Sequence, residues 1–276
     1  MDNVMEKIAV AMSVYYSDKL CLLKECIDSL IGQTYKNMHV YIMIDGPVEK
    51  EVELYLTKLS KDENFDIEFC KENCGLAIRL NQIIDKVVAT GGFKYIARMD
   101  ADDISDKSRF SKQVNFLTLH KDVSVLGSDI MEIDELGNKL FYKSMNSDHE
   151  ELYKNIIRRC PLNHPSVMFR AKIFEDLNIR YKSRLKNTQD YYLWVDLFKA
   201  GHRFANINEP LLYFRIDSEF HSRRGFKKAI NDFNSRCYAF KKLRCYSFLN
   251  IVHTGLLFTL RISTPFIKKL AYKNLR

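Results

Sequence analysis

Three carboxylates stand within four residues at Asp100, Asp102 and Asp103, at the end of the stretch Tyr95-Ile-Ala-Arg-Met-Asp-Ala-Asp-Asp-Ile-Ser105. The apolar run from Tyr95 to Met99 reads as a buried strand. Carboxylates this close repel one another, and a cation is their natural compensator. An all-oxygen donor set suits Mg2+ or Mn2+, which bind one or two protein carboxylates together with substrate phosphates. The plainer reading is a solvated acidic turn after a strand, and the residues of the cluster alone do not separate the two.

The elements that position the cluster can be read from the hydrophobic periodicity. Ile8 to Val14 is a continuous apolar run, as in a parallel strand covered on both faces. Leu20, Leu23, Ile27, Leu30 and Ile31 recur at helical spacing, and Gly32 stops that helix. His39 to Ile44 is a second strand, closed by Asp45-Gly46-Pro47. Glu49 to Leu59 reads as helix, Phe65 to Phe69 as strand, Leu76 to Val88 as helix and Tyr95 to Met99 as the fourth strand. Alternating strands and helices predict a parallel sheet with right-handed crossovers. The loops after its strands share one edge, where open α/β sheets hold ligands. They carry Tyr15, Asp45, Asn73 and the acidic cluster.

Further on, a helix is expected over Arg109 to His120 and short strands over Val123 to Leu126 and Asp129 to Ile133. A turn at Glu135 to Asn138 leads to a returning strand, Leu140 to Lys143. Asp148 to Arg158 reads as a helix capped by Ser147, and Val167 to Phe169 as a strand. Asp190 to Ala200 reads as a helix, with extended runs over Phe204 to Ile207 and Leu211 to Ile216. Gly225 to Tyr246 reads as a basic helix. Phe248 to Leu260 is apolar, and Phe266 to Arg276 is a basic amphipathic turn.

Composition narrows the class. The chain has 276 residues, 46% hydrophobic and 28% charged, which fits a folded α/β domain rather than a disordered chain. The net charge of +8 is concentrated after His221, where Asp232 is the only acid among many Lys and Arg. Such an apolar and basic tail suits an anionic membrane surface, or else a helix pair packed on the domain. The seven cysteines form no C-x-x-C pair and read as reduced thiols. The amino terminus lacks the layout of a signal peptide, and no run is long and apolar enough for a transmembrane helix. A cytoplasmic protein, peripheral on the inner membrane face, is the expectation.

Other metal and phosphate chemistries fit poorly. An EF-hand loop starting at Asp100 would need Gly at its sixth position and Glu at its twelfth, where Ser105 and Ser111 stand. An aspartyl phosphatase motif would place Thr where Ile104 is. Neither a P-loop nor a G-x-G-x-x-G turn is present.

Several motifs in order carry a resemblance: A-M-S-V-Y-Y at 11–16, I-D-G at 44–46, E-N-C-G-L-A-I-R-L-N at 72–81, the acidic stretch at 95–105 and R-F-S-K-Q at 109–113. N-H-P-S-V-M-F-R at 163–170, Q-D-Y-Y-L-W at 189–194, F-A-N-I at 204–207 and Y-F-R at 213–215 follow. Over about residues 7–220 the chain resembles an inverting family 2 glycosyltransferase of the GT-A fold, of the kind that assembles bacterial surface polysaccharides. The resemblance implies a Rossmann-like, mostly parallel central sheet flanked by helices. It sets a transferase domain at 1–220 apart from a basic, partly apolar helical extension at 221–276. It also implies a nucleotide-sugar donor, with uridine as the suggested base, Mn2+ or Mg2+ as cofactor, and a saccharide or lipid-linked saccharide acceptor.

Residue roles follow from the same resemblance. Tyr15 and Tyr16 would line the base and Asp45 would hydrogen-bond it, although Ile44 stands where many members carry a second acid. Asn73 and Arg79 would lie near the base and phosphates. Asp100 would contact the ribose and Asp102 the metal, with Asp103 in support and Arg98 paired to the cluster. Asp190 would be the general base, with Gln189 and Tyr192 where the family usually has acids. Trp194 reads as core packing, and His164 as a contact to donor sugar or acceptor. His221, Arg223 and Arg224 fall where the family has a basic loop closing on the diphosphate. A nucleotidyltransferase would instead carry a Gly-rich basic loop after the first strand. A nucleic-acid-binding protein would carry its basic residues on the main domain. Neither pattern is present, and nucleic acid is not an expected partner.

Overall fold

The computed structural model describes residues 5–185, 187–216 and 226–263. Its first half is the alternating unit that the periodicity predicts. Strands β1 (Ile8–Tyr15), β2 (Met38–Asp45), β3 (Phe65–Cys70) and β4 (Tyr95–Arg98) are separated by helices α1 (Leu20–Ile31), α2 (Lys50–Leu59) and α3 (Leu76–Thr90). There follow β5 (Ile104–Ser105), α4 (Arg109–Leu119), β6 (Val123–Ile133), β7 (Lys139–Lys143), α5 (His149–Lys154), β8 (Met168–Arg170), α6 (Gln189–Lys199), β9 (Arg203–Arg215), α7 (Phe226–Leu243) and α8 (Phe248–Ile262).

The strands form one mixed sheet in the order β3-β2-β1-β4-β8-β6-β9-β5, with β7 added alongside β6. The block β3-β2-β1-β4 is parallel, and β8 joins β4 in the antiparallel sense. Strand β1 is therefore central, and its residues alternate between two cores. Ile8, Val10, Met12 and Val14 pack with Leu23 and Ile27 of α1. Ala9 and Ala11 face Leu80 and Ile83 of α3 and the layer that holds Trp194. Both faces are covered, so the strand is apolar from Ile8 to Met12 rather than alternating.

The second half differs from the sequence reading where polar residues sit inside strands. Two short strands were expected over 123–133, but β6 runs without a break through Gly127 and Ser128. At Gly127 the side chains of Asn206 and Leu162 come within 2.8 Å of where a Cβ would lie, so glycine marks close packing rather than a turn. The two runs expected over 204–216 are likewise one strand, β9, whose pairing with β6 shifts register around Asp129. Asp148, not Ser147, caps α5 by accepting a bond from the Glu151 amide, and this helix ends at Lys154.

Helix α7 is not separate from the domain. Ala239 and Phe240 are buried in the same core as Trp194 and Phe204. Arg236 of α7 donates to the Ile157 carbonyl at 3.2 Å, and its guanidinium lies 4.4 Å from the centre of the Tyr191 ring. All seven cysteines are free thiols. No helix among the described residues is long and apolar enough to cross a membrane.

Candidate functional site

Four loops and one helix start meet at the carboxyl ends of the parallel strands. They enclose a cavity of about 500 Å3 lined by Tyr15 ending β1, Tyr16 and Asp18 after it, Asp45 ending β2, Asn73 and Gly75 before α3, Asp100 and Asp102 after β4, and Asn187 and Gln189 at the start of α6. A second cavity of about 340 Å3 shares Tyr15, Asp18, Asp100 and Asp102 and extends to Lys19, Glu135 and Arg215. The acidic cluster therefore lies at the junction of two hollows and is not a plain solvated turn.

The carboxylates of the cluster have different surroundings. Arg98 is 2% exposed at the end of β4. Its guanidinium bonds the Ala11 and Met99 carbonyls and the carboxylate of Asp100, so the strand itself holds Asp100 in place. Asp102 is half-buried, and burial together with neighbouring Asp100 pushes its carboxyl up to about 6. Asp103 is fully buried. One of its oxygens accepts the Arg215 amide at 2.9 Å and the other has no partner. Burial, then Asp100 and Asp102, raise its carboxyl well above the usual range. Asp103 is thus an interior group behind the cluster.

Asp18 was not singled out in the sequence. It accepts the Tyr15 amide at 2.9 Å, and burial, with Asp102 and Asp100 nearby, pushes it up to about 7. The usable signal was an acid in the first of the converging loops. Arg215 was also missed, and it ties the cluster down. Besides its amide bond to Asp103, its side chain donates to the Asp102 carbonyl at 2.9 Å, to the carbonyls of Asp134 and Glu135, and to Glu25 at 2.7 Å.

Asp45 organises the opposite wall. Its carboxylate accepts the amides of Cys74 and Gly75 at 2.8 Å each and Nε of Arg79 at 2.7 Å. Asn73 Nδ2 in turn donates to the Asp45 carbonyl at 3.1 Å. Gly46, at φ +87°, is required here because a Cβ would lie 2.9 Å from the Asn73 amide nitrogen. The expected contact of Arg79 with base or phosphates is not open in this structure. Its side chain is only 5% exposed, and its three nitrogens bond Asp45, Gln82 and the Glu72 carbonyl. Tyr15 and Tyr16 sit edge to face, 5.4 Å between centroids, exposed at the cavity mouth.

Asp190 lies in the first turn of α6, one residue beyond the cavity wall at Gln189. Burial raises its carboxyl, while the amides of Tyr191 and of Asp190 itself pull it down. Thr188 just before the helix has φ 63°, a left-handed conformation that costs a non-glycine residue about 1–3 kcal/mol. Gln189 Oε1 is buried without a partner. His164 bonds the Tyr181 hydroxyl at 2.8 Å, and burial and Arg98 keep its imidazole well below its ordinary value, hence neutral. Trp194 is fully buried against Phe169, in keeping with a packing role. Arg223, with His221 and Arg224, lies outside the described residues.

The donor set fits a hard divalent cation. Asp18, Asp100 and Asp102 present carboxylates to one space, and burial, with repulsion between neighbouring carboxylates added, raises Asp18 and Asp102. Among the described residues no group of three or more His, Cys, Asp or Glu is placed to hold a metal ion by itself. Mg2+ or Mn2+ would need only one or two of these carboxylates, with water and phosphate completing the shell.

Residues 10–177 match the family model described as glycosyl transferase family 2. The chain belongs to that family. It is a glycosyltransferase with the GT-A fold. It is 27% identical over 243 residues, 87% of this chain and 86% of the other, to the Escherichia coli UDP-Gal:alpha-D-GlcNAc-diphosphoundecaprenol beta-1,3-galactosyltransferase. Among solved structures, S. aureus TarS 1-349 in complex with UDP-GlcNAc superposes with a TM-score of 0.62 at 13% identity, covering 93% of this chain and 82% of that one. The mannosyltransferase PcManGT from Pyrobaculum calidifontis, in complex with GDP-Man and Mn2+, gives 0.61 at 13% identity, covering 99% and 80%. At such identities these structures speak for the fold.

Proposed function

We propose that this glycosyltransferase moves a sugar from a UDP-sugar to a hydroxyl of a lipid-linked saccharide, with inversion, in surface polysaccharide synthesis at the cytoplasmic face of the membrane. The observation that carries the donor half is the cavity joining Tyr15, Asp45 and Asn73 to Asp100 and Asp102 at one sheet edge. Tyr15 and Tyr16 offer aromatic faces to a base. Asp45 acts by fixing the Asn73–Gly75 turn that forms the base-side wall. Asp100, held by Arg98, accepts from ribose hydroxyls, and the unpartnered Gln189 Oε1 is an acceptor for a further donor hydroxyl.

Asp102 would hold Mg2+ or Mn2+, which supplies charge neutralisation to the leaving diphosphate. Asp190 takes the proton of the acceptor hydroxyl, and the freed oxygen attacks the anomeric carbon opposite the diphosphate. Burial suits it to this role, because a carboxyl raised toward the working pH is a better base. Uridine and a lipid-linked acceptor are supported by the Escherichia coli relative, whose name carries both, and the metal by the Mn2+ of the Pyrobaculum calidifontis structure.

The test is release of nucleoside diphosphate from a panel of nucleotide sugars with Mn2+ or Mg2+, with and without lipid-linked saccharide acceptors. Turnover with a UDP-sugar is expected. Turnover only with another nucleotide would replace the donor assignment. Asp190→Asn should lower kcat by about 10²-fold or more while leaving donor binding nearly intact. Near-normal turnover in that variant would remove Asp190 from the role.

A further inference from the structure

Helix α8 packs a narrow apolar strip on α7, where the Phe258 and Phe233 rings lie 5.4 Å apart, and leaves much apolar surface uncovered. Its two fully buried residues are polar: Asn250, whose Nδ2 donates to the Cys245 carbonyl at 3.0 Å, and Thr254, whose hydroxyl donates to the Asn250 carbonyl at 2.9 Å. Arg261 near its end pairs with Asp232 of α7 at 2.7 Å, both largely covered. Apart from Gly255 and Thr259, its exposed residues are apolar. Phe248 is 80% exposed, Leu249 63%, Ile251 56%, Val252 39%, Leu256 65% and Ile262 47%. Residues 248, 249, 252 and 256 form one continuous stripe at helical spacing. A helix on a water-facing surface turns such a stripe to the core.

Charge decides what covers this face. Lys241, Lys242 and Arg244 are exposed where α7 leads into α8. Asp232 is the only acid in the two helices, and Arg261 neutralises it. A second copy of the chain would bring its own cations against these. Residues 264–276 carry Lys268, Lys269, Lys273 and Arg276 and no acid, so they add to the positive charge rather than balance it. An anionic lipid surface complements both the cations and the apolar stripe. With 15 residues, α8 is about 22 Å long, short of the roughly 30 Å hydrocarbon core. It would therefore lie in the plane of the membrane.

We infer that α8 is an interfacial membrane helix, with Phe248, Leu249, Val252 and Leu256 in the acyl boundary and Lys241, Lys242 and Arg244 on anionic headgroups. This deepens the acceptor half of the proposed function by naming the surface on which a lipid-linked acceptor is met. It does not depend on which sugar is moved.

The experiment is flotation of the full chain with vesicles of phosphatidylcholine alone and with about 30% phosphatidylglycerol, beside light scattering for oligomeric state. Flotation with the anionic vesicles only is expected. Leu249→Glu with Leu256→Glu should abolish it, and each of Lys241→Glu and Lys242→Glu should cut partitioning by about fivefold or more, since one cation near such a surface is worth about 1 kcal/mol. Melting midpoint and release of nucleoside diphosphate from the free donor should stay as in the parent. That separates a failure of this inference from a failure of the transferase reading. Three outcomes overturn it: equal flotation of parent and Glu variants, a dimer that Leu256→Glu dissociates without any flotation, or flotation gained only when residues 264–276 are removed.

Discussion

Asp18 and Asp102 share a cavity with Asp100 and are pushed up to about 7 and about 6, against an ordinary value of 3.8. Burial is the main cause, and mutual repulsion adds to it. Between pH 4 and 7 the folded chain keeps protons that the unfolded chain has released, so stability falls as pH rises through this window. Without metal, Asp18→Asn is therefore expected to raise Tm at pH 8 by roughly 2–4 °C, the equivalent of about 1 kcal/mol, and to do little at pH 4. The amide oxygen can still accept the Tyr15 amide. Thermal melts at the two pH values check this, and an equal gain at both would point to packing instead of charge. The reverse effect is expected at Arg79. Arg79→Ala leaves the buried Asp45 carboxylate without its cation, a loss of about 3–5 kcal/mol in denaturant unfolding.

Among the elements, the ends of strands do most to shape the site. Arg215, closing β9, joins the Asp102–Asp103 turn to Glu25 of α1 and to the turn after β6. Arg215→Ala should loosen this turn and weaken Mn2+ binding by tenfold or more, while Arg215→Lys restores the charge to Glu25 but not the forked contacts to carbonyls. Mn2+ titration of both variants, set against their melting midpoints, separates positioning from stability: a fall in Tm with unchanged Mn2+ affinity would make Arg215 structural only. The parallel strands β1 to β4 were legible because each is an apolar run closed by a polar turn, and their order forces the turns onto one edge. Strands β6 and β9 were read as broken because Gly127, Asn208 and Glu209 look like turn residues. Their neighbours across the sheet, which local periodicity does not reveal, carry the strands through. The same limit hid the pairing of Asp45 with Arg79 and of Asp103 with Arg215, both set by tertiary packing.

For the molecule as a whole, the question is where the folding unit ends. The change in composition near His221 suggested a domain at 1–220 and an extension at 221–276. The packing of α7 argues for a folding unit that runs on to the end of α7, with α8 outside it. Helix α7 places Ala239 and Phe240 in the core beside Trp194. Tyr238 bonds Asp196 of α6, which also pairs with Lys182 at 2.8 Å. Helix α8 contributes no residue to either main core and packs mainly on α7. Ending the chain before α7 exposes Trp194's layer to water and leaves Asp196 without Tyr238. Losing the buried Phe240 alone is worth about 3–5 kcal/mol, a large share of a typical domain's stability. A chain ending at residue 220 should therefore melt far below the parent or not fold cooperatively. One ending at residue 247 should keep a Tm within a few degrees and keep donor binding. Calorimetry of the two truncations checks the division, and equal melting of both would place the boundary near His221 after all.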